Sequence, residues 1–412
     1  MKKTLGKIID NYIYVFFGIY IITLFMNNTT FFLVNDIVKR SIKIIRYSIY
    51  LVFVLKILRD WKKGDSVTIP MVISIILSGI IFICSRNIDI VILILTIIAL
   101  RNCEFSKLIQ LTFKIFIIMF FITVSLSLMK VIPDWTYNRY DLIRHSLGFY
   151  YPTITIGLYL SIILMYCYIK RSNSNYIELL TLETINVFLY SYTDGRLSFI
   201  LITAILIIMA ISKLKIFKMI FRTKVSKKIL KIAVYVLPVF LSLLTFVLVY
   251  MYSNQNVMAK EVDTMLSGRL KYTSDAFENY PVTLFGKDIK WNGWGGYGYV
   301  ENNNFEKMEY NYVDISYARV LFDYGIIAEI LILYAYTKIL SINYKQKNYW
   351  MCIILFFVLI WAFVEPYIVY MGKNIFVLTF GIIINNGRKI KLLNYEYLKG
   401  RIKKENDKEI TN

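Results

Sequence analysis

Charged residues, histidine, cysteine and proline are all scarce in this chain. Its 412 residues include one histidine, four cysteines and six prolines; only 18% are charged, whereas 58% are hydrophobic. A soluble chain of this length has too little interior for so much apolar surface, so a soluble enzyme is excluded. The cysteines match no metal motif and predict no disulfide framework. The shortage of proline within the apolar runs argues against a transporter built on broken helices.

Long apolar runs joined by short links make up most of the chain. Runs of about 18 apolar residues predict transmembrane helices, because only a helix pairs all its backbone groups within one lipid-embedded segment. We therefore predict an all-α polytopic membrane protein with about twelve transmembrane helices and one large extracytoplasmic loop. The predicted spans are residues 9–25, 44–58, 69–84, 88–100, 108–132, 153–169, 176–192, 197–211, 229–251, 316–336, 350–369 and 375–384.

Basic residues give the chain a net charge of +21, and they cluster in the short links. This distribution is the positive-inside pattern, which indicates membrane topology and not a nucleic-acid partner. It predicts a multi-pass plasma-membrane protein with both termini in the cytoplasm. The predicted organisation is nine helices over residues 1–251, an external loop over 252–315, three helices over 316–387 and a basic cytoplasmic tail over 388–412.

The predicted external loop, residues 252–315, differs from the rest because it is polar, aromatic and rich in glycine. Residues 258–280 have the apolar spacing of an amphipathic helix, which we expect to lie on the membrane or across the mouth of the bundle. Trp291, Trp294 and Tyr297 follow, and Tyr317 lies just after the loop. Aromatic faces and nearby polar groups suit sugar binding. The alternatives are a structural lid for the helix and a disordered surface loop for residues 291–299.

Several arginines lie on the predicted external side, against the positive-inside pattern. A guanidinium group binds phosphate with paired donors and stays charged, so such a set suits a lipid-linked diphosphate. The alternatives are snorkelling at the interface and pairing with Asp141, Asp194 or Asp314. The arginines are Arg86, Arg139, Arg144, Arg196, Arg269 and Arg319, of which the last four are the strongest candidates.

Four segments resemble Wzy-type polysaccharide polymerases of the O-antigen polymerase and ligase superfamily. They are residues 144–152 (RHSLGFYYP), 193–198 (TDGRLS), 268–286 and 314–327. Three positions depart from the family pattern: Thr153 replaces an asparagine, Gly195 replaces a serine, and Asp314 stands where related ligases have histidine. The resemblance implies a GT-C-like fold and a metal-independent glycosyltransferase without a cofactor. It also implies that the enzyme polymerises undecaprenyl-diphosphate-linked oligosaccharide repeat units into a surface polysaccharide.

Such a reaction needs cations for the leaving diphosphate and a base for the incoming hydroxyl. We assign the first role to Arg144, Arg196, Arg269 and Arg319. Asp314 is the first choice of base and His145 the second. The alternatives are a salt bridge from Asp314 to Arg319, an N-cap at Asp314, and an ordinary polar contact at His145.

Membrane lipid is an expected partner, as are a flippase and a chain-length regulator of the same pathway. The rival functions are an O-antigen-type ligase and a flippase for lipid-linked oligosaccharides.

Overall fold

A computed structural model describes residues 2–139, 142–214, 223–293 and 310–385, with backbone alone at 2–11 and 224–227. Its helices and strands are α1 Lys2–Met26, α2 Thr30–Val34, α3 Asp36–Lys62, α4 Ile69–Ser85, α5 Asp89–Leu100, α6 Phe105–Leu128, β1 Thr136–Arg139, β2 Leu142–His145, α7 Pro152–Lys170, α8 Tyr176–Thr193, α9 Arg196–Ile211, α10 Lys224–Ser253, α11 Val257–Met265, α12 Arg269–Asn279, α13 Ser316–Lys345, α14 Tyr349–Ala362 and α15 Gly381–Ile384. A 3₁₀ helix, Ile375–Phe380, precedes α15.

Helix α7 lies at the centre of the bundle. Of an 18-residue apolar stretch in this helical segment, 89% is buried inside the protein, against 33–50% for the other long apolar helices. It packs against α6, α8, α9 and α14. An α-helix that is apolar all round is typical of a buried position, and neighbouring helices cover most of α7.

The structure is mostly helical, which agrees with the predicted all-α membrane protein. A helical segment lies at each predicted span, and four helices within the described residues are long and apolar enough to cross a membrane. Six further apolar helices have 10–17 residues. The eleventh predicted span differs from its prediction, because α14 ends at Ala362 and residues 363–374 are irregular. Glu365 and Pro366 interrupt the apolar run there, and proline cannot donate a helical hydrogen bond.

Backbone hydrogen bonds link two of the connections that were predicted to be external. The amide of Thr30 donates to the Gly148 carbonyl, and that of Tyr150 donates to the Asn28 carbonyl. At the other end of the helices, Arg101 pairs with Asp65 at 2.7 Å. The predicted external and cytoplasmic connections therefore group at opposite ends of the bundle.

The helix predicted over residues 258–280 is two helices, α11 and α12. The helix is interrupted at Ser267 and Gly268, which both have positive φ, at 62° and 84°. Asp263 ties the two together, since its Oδ1 accepts the Leu270 amide at 2.7 Å. The apolar face predicted for this segment packs on the bundle, with Leu270 fully buried.

Two glycines lock the predicted loop onto α13. A Cβ atom on Gly286 would lie 2.3 Å from the Asp323 carbonyl oxygen, and one on Gly325 would lie 2.3 Å from that of Leu284. Both have positive φ, which glycine adopts without steric cost. Gly325 also kinks α13, with φ 86° and ψ 174°. The kink frees amides for the loop: Ile326 donates to the Thr283 carbonyl at 3.1 Å.

Candidate functional site

A cavity of about 850 Å³, called here the arginine cavity, lies among the predicted external connections. Its walls come from the β hairpin, the start of α7, α12 and the irregular segments before α13 and after α14. Three arginines and two carboxylates line it: Arg139, Arg144, Arg269, Asp314 and Glu365. Tyrosines supply much of the remaining wall, namely Tyr137, Tyr150, Tyr151, Tyr272, Tyr310, Tyr312, Tyr367 and Tyr370.

The β hairpin places Arg144 in this cavity. Side chains alternate between the two faces of a strand, so Arg144 and His145 point in opposite directions. The side chain of Arg144 is buried and its Nε donates to the Thr193 carbonyl at 2.7 Å. Its Nη2 atom is buried and has no hydrogen-bond partner within the described ranges. Arg144 therefore keeps a donor for a ligand.

Arg139 extends this positive wall from the neighbouring strand. Its Nη1 lies 3.1 Å from Asp194, and its Nη2 donates to the Ser267 hydroxyl. The hairpin is thereby tied to the turn before α9 and to the break between α11 and α12. Segments far apart in the chain thus form one wall.

Arg269 is held by several protein groups. Its Nε donates to the Val364 carbonyl at 2.7 Å, and its Nη2 pairs with Glu365 at 2.8 Å. Its Nη1 donates to the Leu266 carbonyl at 3.1 Å. With each nitrogen engaged, Arg269 contributes positive charge from a fixed position and has little freedom to reorient.

Asp314 faces the same cavity, two residues before the start of α13. Its Oδ2 accepts a hydrogen bond from the Tyr310 hydroxyl at 3.3 Å and lies 3.9 Å from Arg269 Nε. Burial raises the pKa of Asp314, against the opposing effects of Arg269 and Tyr310. Burial, followed by the charge of Asp314, raises the pKa of Tyr310, so its hydroxyl remains a donor. A carboxylate with a raised pKa is a stronger base than an exposed one.

Asp314 forms neither of the two contacts considered as alternatives for it, a salt bridge to Arg319 and an N-cap of α13. Arg319 pairs with Asp323 at 2.6 Å, one helical turn further on. The N-cap residue of α13 is Ile315, without a side-chain cap. Asp314 is therefore left facing the cavity.

A smaller cavity of about 370 Å³, called here the mixed-charge cavity, adjoins the first. Arg319 lines it and does not line the arginine cavity, contrary to its grouping with the other phosphate-binding candidates. The guanidinium carbon of Arg319 lies 4.5 Å from the ring centroids of both Trp291 and Tyr312. Trp291 also donates to Asp323 at 2.7 Å. Trp291 lines the arginine cavity, but these contacts fix its ring in a structural role as well.

Three candidates lie away from both cavities. Arg196 has 53% of its side chain exposed and pairs with Asp194 at 3.3 Å. His145 places its Nδ1 2.6 Å from Asp134, which favours the polar-contact interpretation. Tyr317 is fully buried and donates to the Leu359 carbonyl at 2.9 Å. The placement of Tyr317 corrects its assignment to sugar binding, since a ring enclosed by the core offers no face to a ligand. Trp294 and Tyr297 lie outside the described residues.

Sequence reasoning missed several polar residues of the two cavities. Glu365 and the tyrosines near it were assigned to a transmembrane span, although a carboxylate in an apolar run is costly and itself marks a functional position. The same signal was present at Arg46, Asp89 and Asp323, which line the mixed-charge cavity.

Comparisons with known protein families, with curated proteins and with solved structures found no match.

Proposed function

We propose that this chain is a membrane glycosyltransferase that polymerises undecaprenyl-diphosphate-linked oligosaccharide repeat units into a surface polysaccharide. In this proposal the twelve predicted segments all cross the plasma membrane in a GT-C-like arrangement. Both termini are cytoplasmic, and the arginine cavity opens at the outer face.

One observation carries the proposal: three arginines and Asp314 face the same tyrosine-lined cavity. The four segments that resemble the polymerases meet there. Residues 144–152 supply Arg144, and Thr193 holds its guanidinium. Arg269 and Asp314 come from the third and fourth segments, which Gly286 and Gly325 lock together.

The charges suit a transfer from a lipid diphosphate. The acceptor hydroxyl oxygen forms a bond to the anomeric carbon of the donor sugar, and the bond from that carbon to the diphosphate oxygen breaks. The hydroxyl proton passes to the Asp314 carboxylate, and Arg144, Arg139 and Arg269 stabilise the negative charge that develops on the leaving diphosphate. The tyrosines offer ring faces and hydroxyl groups to the sugars.

Reconstitution in vesicles with one purified lipid-linked repeat unit tests this function. A ladder of lengthening products is the expected result. Product that forms only after a second, different acceptor is added would identify a ligase. Transfer of the lipid-linked oligosaccharide across the vesicle membrane, without any change in glycan length, would identify a flippase and contradict the proposal.

A further inference from the structure

The mixed-charge cavity has no part in the reaction proposed above, yet it continues the arginine cavity. Asn27, Tyr150, Tyr312, Tyr367 and Tyr370 line both spaces. The two spaces therefore meet at these shared side chains. The volume of about 370 Å³ falls within the range of about 300–1,000 Å³ of small-ligand pockets.

The charges of the mixed-charge cavity are balanced, unlike those of its neighbour. Arg46 and Arg319 line it together with Asp89 and Asp323. Arg319 donates from Nε to Asp323 at 2.6 Å, and Arg46 donates from Nε to Thr23 at 3.1 Å. Two carboxylates beside two guanidinium groups give a diphosphate no net attraction. This space is therefore poorly suited to the charged part of the substrate.

The same groups match the hydrogen bonding of a sugar. Each sugar hydroxyl both donates and accepts, whereas a guanidinium group only donates and a carboxylate only accepts. The Nη1 atom of Arg319 is buried without a hydrogen-bond partner among the residues that the structure describes. Tyr20, Tyr50 and Tyr324 add aromatic wall to the cavity. Aromatic rings cover the apolar faces of a ligand, while side-chain polar groups fix its orientation.

We propose that the mixed-charge cavity is a second sugar-binding subsite, which holds an uncharged sugar of the oligosaccharide next to the one that reacts. The inference rests on the proposed function for the identity of the oligosaccharide. Asp89 and Arg319 are its hydrogen-bonding residues, and Arg46 completes the charge balance. In this arrangement the arginine cavity binds the diphosphate, and the mixed-charge cavity binds a sugar of the glycan.

Binding of a glycan without its diphosphate tests this subsite. The probe is the oligosaccharide released by mild acid from the lipid-linked material of a host strain that lacks this chain. Its dissociation constant is measured on the purified full-length protein in nanodiscs. Ile92 lines only the mixed-charge cavity, so Ile92→Trp fills that space. We expect binding at least about tenfold weaker, because the displaced sugar loses its hydrogen bonds to charged groups. The matched control is Ile94→Trp, on the same helix and lining neither cavity.

A second variant covers the case in which the added indole disturbs folding. Asp89→Asn keeps the size of the side chain and removes its charge, and we again expect about tenfold weaker binding. Wild-type affinity in a well-folded Asp89→Asn protein, or no binding of the free glycan to the wild-type protein, would overturn the inference.

The polymerisation assay separates this result from the proposed function. Glycan binding that depends on Asp89, in a protein that makes no polymer, would support the subsite and contradict the proposed polymerase function. Polymer formation that depends on Asp314 but is unchanged in both mixed-charge cavity variants would support the polymerase function and contradict the subsite.

Discussion

The two cavities share a wall of tyrosines but differ in charge and in origin. The arginine cavity is built mainly from connections between helices and carries three arginines against two carboxylates. The charged groups of the mixed-charge cavity come from helices α3, α5 and α13, and they balance. The difference indicates that one space is suited to stabilise a developing negative charge, while the other is suited to bind neutral groups. Four predictions test this division.

The largest effect is expected from Asp314→Asn. The asparagine amide has nearly the same shape but cannot take the proton from the hydroxyl group of the acceptor sugar. Polymer formation should therefore fall by about 10²- to 10⁴-fold. Initial rates with the purified lipid-linked repeat unit provide the measurement. Asp323→Asn is the comparison: Asp323 lines the other cavity, so its loss can weaken sugar binding but removes no base, and the rate should fall less. Equal losses of rate in both variants would remove the distinction between the cavities.

The next effect is expected from Arg144→Ala. Loss of one donor to the leaving diphosphate should lower the rate by about 10²- to 10³-fold. Arg196→Ala is the matched control, because Arg196 is an exposed arginine from a neighbouring segment and does not line the arginine cavity. Its rate should change by less than about fivefold. Comparable losses in the two variants, at equal protein levels in the membrane, would contradict the role of the arginine cavity.

The third prediction concerns pH. Because the pKa of Asp314 is raised by burial, its basic form is lost as pH falls while an exposed aspartate is still ionised. The acid-side decline of the rate should therefore lie above pH 3.8, the ordinary pKa of aspartate. Tyr310→Phe removes a hydrogen bond that lowers this pKa, so the decline should move to higher pH.

Rates of wild type and Tyr310→Phe between about pH 4.5 and 8 provide the comparison. A profile that is flat in both proteins, or one that moves to lower pH in the variant, would rule out Asp314 as the base.

The smallest effect is expected from His145→Ala. His145 lies on the far face of β2 and contacts Asp134 outside the cavity. Loss of this partly exposed pair should change the rate by at most about threefold. A loss as large as that of Asp314→Asn would place the base at His145 and overturn the assignment to Asp314. The thermal stability of the variant shows whether any loss reflects folding instead.

The sequence alone predicted a helical segment at each apolar run and the grouping of the connections between them. Apolar runs and basic links depend on local composition, so they can be recognised without knowledge of the fold. Arg144 and Arg269 were found as charges placed against the positive-inside pattern, whereas Asp314 was chosen because it lies in a segment that resembles the polymerases, where the predicted loop ends. Each could be recognised from its immediate neighbours in the chain.

The tertiary structure alone decided which of these charges meet. Arg144 and His145 are adjacent in sequence, but the unpredicted β strand turns them to opposite faces. Arg196 and Arg319 were grouped with Arg144 and Arg269, yet one pairs at the surface and the other lines the mixed-charge cavity. Glu365 reaches Arg269 across 96 residues of chain. Such pairings depend on packing between distant segments, and hydrophobic periodicity carries no information about them.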